Sequence, residues 1–499
     1  MKTLKIRIKK FAILCHRWMG VAFCLLFSFW FLSGIAMMYW DFPSVRAEER
    51  LERAAALDPS KVLLSAEEAY GKLNAKREPE QTQLLTFDGR PAYQFRSGRE
   101  QSLVYADDGA IQSQFDLELI RRTAAAFTGQ PGDAAQLEML REPDQWTIAG
   151  NFRVHQPIAK FSWADGEVAY VSGKTGEVVQ HTTTASRIGA YLGAIPHWLY
   201  FTPLRKNQPL WSQVVIWLSG VGTIMAALGM VVGIWMYSPK RGVPYAGQKR
   251  LHTILGLFFG IVTCTWSFSG MMSMDPFPAA SRGARGNSEV SKALQGKRPP
   301  LSAYAAQHPR QALEAMAGQF PVKSLELSSF DGKPFYQALG GNRQKRILLP
   351  DGAVRSGFSQ DQLQNALRNC SIRESRLVTE YELYYVDRQH RRPLPVLYIE
   401  LNDAEKTGSY IDPATGRVVQ SYGSRSRWNR WLYRGLHSMD LPLLYKYRPA
   451  WDLVVLTLML GGTALCITSV VIAWLVLRRK YFAFGRRLRV AAPGRSILE

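Results

Sequence analysis

Four long apolar blocks decide most of what this chain can become. They cover residues 11–40, 211–237, 251–274 and 451–477. A helix needs about 20 apolar residues to cross a bilayer, whereas an apolar run of about 10–14 suits a buried core helix. None of the four blocks carries Asp, Glu or Lys in its central part. All four therefore read as transmembrane helices. The first is too long for the apolar part of a secretion signal and lacks a clear small-x-small cleavage site.

Charge then orients them. The 499 residues hold 62 Lys and Arg against 40 Asp and Glu, a net charge of +22. Residues 1–10, 238–250 and 478–499, together with Arg17, contain 17 basic residues and one acid, Glu499, so 16 of the 22 positive charges sit beside the blocks. Short basic segments stay in the cytoplasm, which puts both termini inside and turns residues 43–210 and 276–450 to the opposite side. In a Gram-negative bacterium these would be the inner membrane and the periplasm. A basic composition often signals nucleic-acid binding; here it is a topology signal, and lipid rather than nucleic acid is the expected partner. Cys15, Cys24, Cys264 and Cys466 fall within the blocks and only Cys370 lies outside. Neither outer segment can close a disulfide of its own, and no C-x-x-C-H is present for covalent haem attachment.

The chain also repeats itself. His16-Arg-Trp-Met-Gly20, Trp30 and Ser33-Gly34 recur 236 residues later as His252-Thr-Ile-Leu-Gly256, Trp266 and Ser269-Gly270. Phe87-Asp-Gly-Arg-Pro-Ala-Tyr-Gln94 matches Phe330-Asp-Gly-Lys-Pro-Phe-Tyr-Gln337 at an offset of 243. Thr175-Gly176, Ser186-Arg187, His197 and Trp211 match Thr415-Gly416, Ser426-Arg427, His437 and Trp451 at 240. Each half is thus helix, outer domain, helix, and the halves are parallel repeats. Within each outer segment two helix-then-strands units follow one another, an α+β pattern with Asp-Gly turns. The stretches after Pro43 and around Arg282–Pro300 read as linkers.

Of eight histidines, four pair under the repeat: His16 with His252, and His197 with His437. The other four do not, since the position matching His155 is Pro395 and that matching His181 is Ser421. The first pair lies at the cytoplasmic starts of two helices. The second precedes Trp211 and Trp451 by 14 residues, on the outer side, in short interfacial segments. Two histidines from neighbouring helices supply both axial ligands of a haem iron. His16, Gly20, Phe23, Phe27, Trp30 and Gly34 share one helical face, and a glycine one turn from a ligating histidine leaves room for a flat macrocycle. Arg17, Lys249 and Arg250 are candidate propionate partners inside, Arg187 and Arg427 outside. Taken singly, a histidine at a helix end is an ordinary solvated residue, and repeated glycines serve helix packing. Zinc is disfavoured because no Cys or carboxylate stands at ligand spacing from either pair. Met37, Met38, Met271, Met272 and Met274 are alternative axial ligands, although methionine is more often filler.

The ensemble His16-Arg-Trp-x-Gly20, Leu251-His-x-x-x-Gly256, Pro196-His-Trp-Leu-Tyr200, Gly435-Leu-His-Ser-Met-Asp-Leu-Pro442 and Tyr410-Ile-Asp-Pro-x-Thr-Gly416 resembles the PepSY-associated transmembrane proteins, which include ferrisiderophore reductases of the FoxB type. The resemblance covers nearly the whole chain. It implies a helical membrane protein with two periplasmic α+β PepSY-like domains, haem b in the membrane part (two expected), and electron passage outward to a ferric siderophore or other ferric chelate. The segments expected in the cytoplasm are about 10, 13 and 20 residues long, too short to bind NADPH or flavin. A separate cytoplasmic reductase or membrane quinol is therefore the expected donor. The alternative is a PepSY-domain sensor, or a peptidase-regulating or assembly protein, without redox activity.

Overall fold

The structure is a computed structural model that describes residues 2–98, 100–276 and 285–491. The start of the expected Arg282–Pro300 linker and the end of the basic tail, with Arg495 and Glu499, lie outside the described residues. The chain forms two compact units: Met1–Phe42, Ile188–Pro278 and Asn429–Glu499 in one, Pro43–Arg187 and Ala279–Trp428 in the other.

The first unit is a helix bundle. Its long helices are α1 (Lys2–Met37), α2 (Gln208–Met236), α3 (Gly247–Met272) and α4 (Ala450–Ala491), and all four are long and apolar enough to cross a membrane. Large apolar side chains face outward along them, among them Phe29, Trp217, Phe258 and Trp474. Such a surface costs free energy in water and none in lipid. Inside the bundle, glycines receive aromatic rings: a Cβ at Gly461 would lie 2.2 Å from the Phe259 ring, and one at Gly462 2.1 Å from Phe31. Asn207 caps α2 by accepting a hydrogen bond from the Leu210 amide. Arg448 makes a forked pair with Asp452 in the first turn of α4. Both α1 and α4 extend into the flanking basic segments. Lys and Arg are good helix formers, and no proline interrupts residues 450–491.

The second unit is α+β. The hairpins Gln81–Phe87/Arg90–Ser97 and Ser324–Phe330/Lys333–Leu339 turn on Asp88-Gly89 and Asp331-Gly332, with positive φ at all four residues. That is the geometry a two-residue hairpin turn needs, and Asp-Gly tolerates it. The hairpins pair edge to edge, Leu84 opposite Leu325, inside one eight-stranded antiparallel sheet. The two segments read as separate domains therefore share a sheet and a core, with Leu84, Tyr93, Leu313, Leu325 and Tyr336 packed together. Helix Ala66–Gly71 begins with a full capping box between Ser65 and Glu68. Each segment also has a four-stranded sheet of its own. Strands between Gln136 and Thr182 pack on helix Leu117–Thr128, and strands between Ile372 and Tyr422 on helix Gln360–Ala366. The stretches read as linkers carry helices Ala47–Arg53 and Arg285–Gln295. The second is amphipathic and buries Val290 and Leu294 against Leu397 and Ile399, a helical spacing that the neighbouring Gly and Pro residues obscure in the sequence.

Tyr170 and Tyr410 occupy matching places in the private sheets. Their hydroxyls donate to Asp144 at 2.8 Å and to Glu382 at 2.6 Å. Burial and the adjacent carboxylates push both phenols well above their usual range, so they stay neutral donors.

Candidate functional site: two layers of paired histidines

In the bundle, His16 of α1 and His252 of α3 face each other with ring centres 6.2 Å apart and planes inclined by 35°. They border a cavity of about 470 Å³ that all four long helices line. From α1 come Ile13, His16, Gly20, Cys24 and Phe27, at steps of three and four that place them on one face. Among the described residues a Cβ at Gly20 would meet nothing within 4 Å, and one at Gly256 only a Leu465 methyl at 3.9 Å. These glycines leave the cavity open. Gly229 of α2 does the reverse: a Cβ there would lie 2.5 Å from Cε1 of His16, so its absence lets the ring approach α2. Arg17, Lys249, Arg479 and Lys480 line the same cavity, and among the described residues no Asp or Glu does.

The second pair stands on two short segments packed against α1 and α3 further along those helices. His197 ends the short helix Ala194–His197, and His437 follows a π-helical turn, Trp431–Gly435. Single π turns are frequent at functional sites. The ring centres are 5.8 Å apart, with planes inclined by 68°. Nδ1 of His197 lies 3.1 Å from the Trp30 carbonyl and 3.1 Å from Ser33 Oγ. Nδ1 of His437 lies 3.3 Å from the Trp266 carbonyl and 3.0 Å from Ser269 Oγ. Trp30 is 14 residues beyond His16 and Trp266 is 14 beyond His252, which separates the layers by about 21 Å along the helix axes at 1.5 Å per residue. A Cβ at Gly34 would lie 3.5 Å from the His197 ring, and one at Gly270 3.8 Å from His437.

The hydrogen bonds assign the tautomer of every ring. A carbonyl oxygen only accepts, so Nδ1 must donate to Met225 (from His16, 3.1 Å), to Trp30 (from His197) and to Trp266 (from His437). His252 Nδ1 faces Thr468 Oγ1 at 3.2 Å and Ser469 Oγ at 3.3 Å. Both hydroxyls already donate to the Leu465 carbonyl, so they too accept. All four rings therefore carry the proton on Nδ1, and among the described residues none of the four Nε2 atoms makes a hydrogen bond. A neutral imidazole held through Nδ1–H presents an Nε2 lone pair, the ligating state. Among the described residues no three His, Cys, Asp or Glu side chains converge as a metal site. Each pair offers two nitrogens, and a metal held there must bring its other ligands with it.

Of the other residues singled out in the sequence, Arg17 lines the first cavity. Arg187 and Arg427 belong to the soluble unit and have partners of their own. Arg187 donates to Thr182 and Thr184 at 2.9 and 3.2 Å, and Arg427 pairs with Glu400 at 3.3 Å. Sequence reasoning missed the residues that hold the rings. Ser33 and Ser269 carried a signal, since they match under the repeat. Gly229 and Ser469 occupy matching positions with unlike residues, and the Met225 carbonyl has no side-chain signature at all. Arg479 and Lys480 were read only as topology charges.

Four membrane-length helices joined to a sheet-rich soluble part define a multi-pass membrane protein with α+β domains. Residues 249–496 match the family described as the PepSY-associated TM region, and that half of the chain, which carries His252 and His437, belongs to this family. No curated protein matches the chain.

Proposed function

We propose that the chain is a duplicated di-haem b-type cytochrome of the inner membrane, with His16/His252 toward the cytoplasm and His197/His437 toward the periplasm. In this reading it passes electrons from a cytoplasmic reductase or quinol to a periplasmic ferric chelate, as a ferrisiderophore reductase does. The observation that carries the reading is the fourfold geometry: two pairs of Nδ1–H imidazoles with free Nε2 atoms and ring centres 6.2 and 5.8 Å apart. A metal at either pair would be held by one imidazole nitrogen from each ring, His16 with His252 and His197 with His437.

Haem at each pair would supply one-electron Fe(II)/Fe(III) cycling, with its potential set by the ligands and their surroundings. The chain's own residues do the rest. The Met225, Trp30 and Trp266 carbonyls hold three rings in the ligating tautomer, and Thr468 and Ser469 hold the fourth. Gly20 and Gly256 keep the cavity open to a flat group. Arg17, Lys249, Arg479 and Lys480, with no acid among the described residues on the cavity wall, favour a ligand bearing carboxylates. The two layers divide a crossing that would be too long for one centre. Reduction releases the metal because hard oxygen donors hold Fe(III) far more tightly than Fe(II). The 17 basic residues beside the apolar blocks support the orientation. A sensor or assembly protein would leave the four aligned rings without a task.

The test is ferric reduction in sealed proteoliposomes with a reductant enclosed and a ferric hydroxamate outside. Reduction that depends on His16 and on His197 supports the reading. Reduction at the wild-type rate in both alanine variants would overturn it.

A further inference from the structure

We propose that Ser33 and Ser269 are positioning residues that lower the reduction potential of the metal held by His197 and His437. The proposal rests on the haem-holding role argued above and adds to it a reason for the second pair's particular surroundings.

A serine hydroxyl that bonds back to its own helix is ordinary in a membrane helix. Ser33 donates to the Trp30 carbonyl at 3.2 Å and Ser269 to the Trp266 carbonyl at 3.0 Å. What is not ordinary is the ring that each then receives from another segment. With its proton spent on the carbonyl, each Oγ can only accept, and it stands 3.1 Å from His197 Nδ1 or 3.0 Å from His437 Nδ1. Each Nδ1–H is thus shared between a carbonyl and a hydroxyl that are themselves hydrogen-bonded. Both serines are fully buried, where no water competes and hydrogen bonds polarise one another.

The consequence follows from ligand electronics. Acceptors around Nδ1–H draw the proton away from the ring and raise the basicity of Nε2. A more basic ligand favours Fe(III) over Fe(II), and second-ring hydrogen bonds are an established lever on haem potential. At the first pair the acceptors are unevenly shared: among the described residues His16 has one carbonyl and no hydroxyl, whereas His252 has two hydroxyls that themselves donate to a carbonyl. The second pair is the one from which a ferric chelate would take its electron. Oxygen donors stabilise Fe(III), so such a substrate accepts an electron only from a strongly reducing partner. The serines match the second site to that demand.

The experiment is a spectroelectrochemical titration of the full-length protein in detergent, comparing wild type, Ser33→Ala/Ser269→Ala and Ser33→Thr/Ser269→Thr. The second site is identified by the same titration in His252→Ala. The alanine pair is expected to raise the potential of the second site by a tenfold change in its one-electron equilibrium, about 59 mV. The first site should stay unmoved, and the threonine pair, which keeps both hydroxyls, should stay near wild type. Wild-type haem content with both potentials unmoved in the alanine pair would overturn this proposal alone, as would an equal shift at both sites. If the alanine pair loses the second haem, retention in the threonine pair supports the hydroxyls' role and loss there refutes it. A wild-type protein without haem would remove the underlying reading and this proposal with it.

Discussion

Gly229→Ala is the smallest change that should empty one site and spare the other. The added Cβ would lie 2.5 Å from Cε1 of His16, 3.1 Å from Nδ1 and 3.3 Å from Nε2. Carbon atoms pack at about 3.5–4.0 Å, so the ring must retreat by about 1 Å. Retreat on that scale stretches the 3.1 Å bond from His16 Nδ1 to the Met225 carbonyl beyond hydrogen-bonding range. A buried donor left without its acceptor costs about 1–3 kcal/mol, and losing an outer-shell partner typically lowers metal affinity about 10- to 100-fold. The assay is haem per polypeptide by pyridine haemochromogen, on protein expressed with excess haem. Haem content should fall from two toward one, with the potential of the remaining haem unchanged. Two haems with wild-type potentials in Gly229→Ala would refute the placement of His16 as a ligand.

Gly20→Leu is the complementary test. A Cβ there meets no atom of the described residues within 4 Å, so thermal stability without haem should hold while the first haem is lost; normal loading would show that the cavity is not its seat. In the soluble unit, Tyr410→Phe removes the 2.6 Å donor to Glu382 and leaves Arg376 at 2.8 Å as its remaining partner. It should cost about 1–3 kcal/mol in denaturant unfolding with haem content unchanged. Burial holds the His155 imidazole below its ordinary value of 6.5, with Glu177 opposing and Arg50, Arg96 and Lys174 reinforcing the shift. Its Nδ1 is buried and has no hydrogen-bond partner among the described residues. The unfolded chain therefore protonates first, and stability that is full above pH 6.5 falls as pH drops below it. His155→Phe should flatten the melting-temperature profile between about pH 7.5 and 5, and an unchanged slope would contradict the assignment.

Much of this was legible in the sequence because the membrane and the repeat are strong constraints. Apolar length marked α1 to α4, since lipid leaves an unbroken helix as the only way to satisfy their backbone. The repeat singled out His16, His252, His197 and His437 from eight histidines, and the structure brings them together in those pairs. The shared eight-stranded sheet was not legible, because strand pairing across 241 residues, as between Leu84 and Leu325, leaves no local mark. Nor were the ring-holding groups, which are largely backbone carbonyls or residues that differ between the halves. Arg187 and Arg427, repeat-matched charges ten residues before His197 and His437, bond Thr182 and Glu400, partners that the sequence does not mark.

The most direct measurement is haem content and the visible spectrum of the purified protein, alongside His16→Ala and His197→Ala. The wild type should show a b-type Soret band and two haems per chain, falling to one in each variant, with the two variants differing in the potential of the haem that remains. A wild-type protein without a Soret band after expression with adequate haem, or either alanine variant retaining two haems, would contradict the di-haem reading.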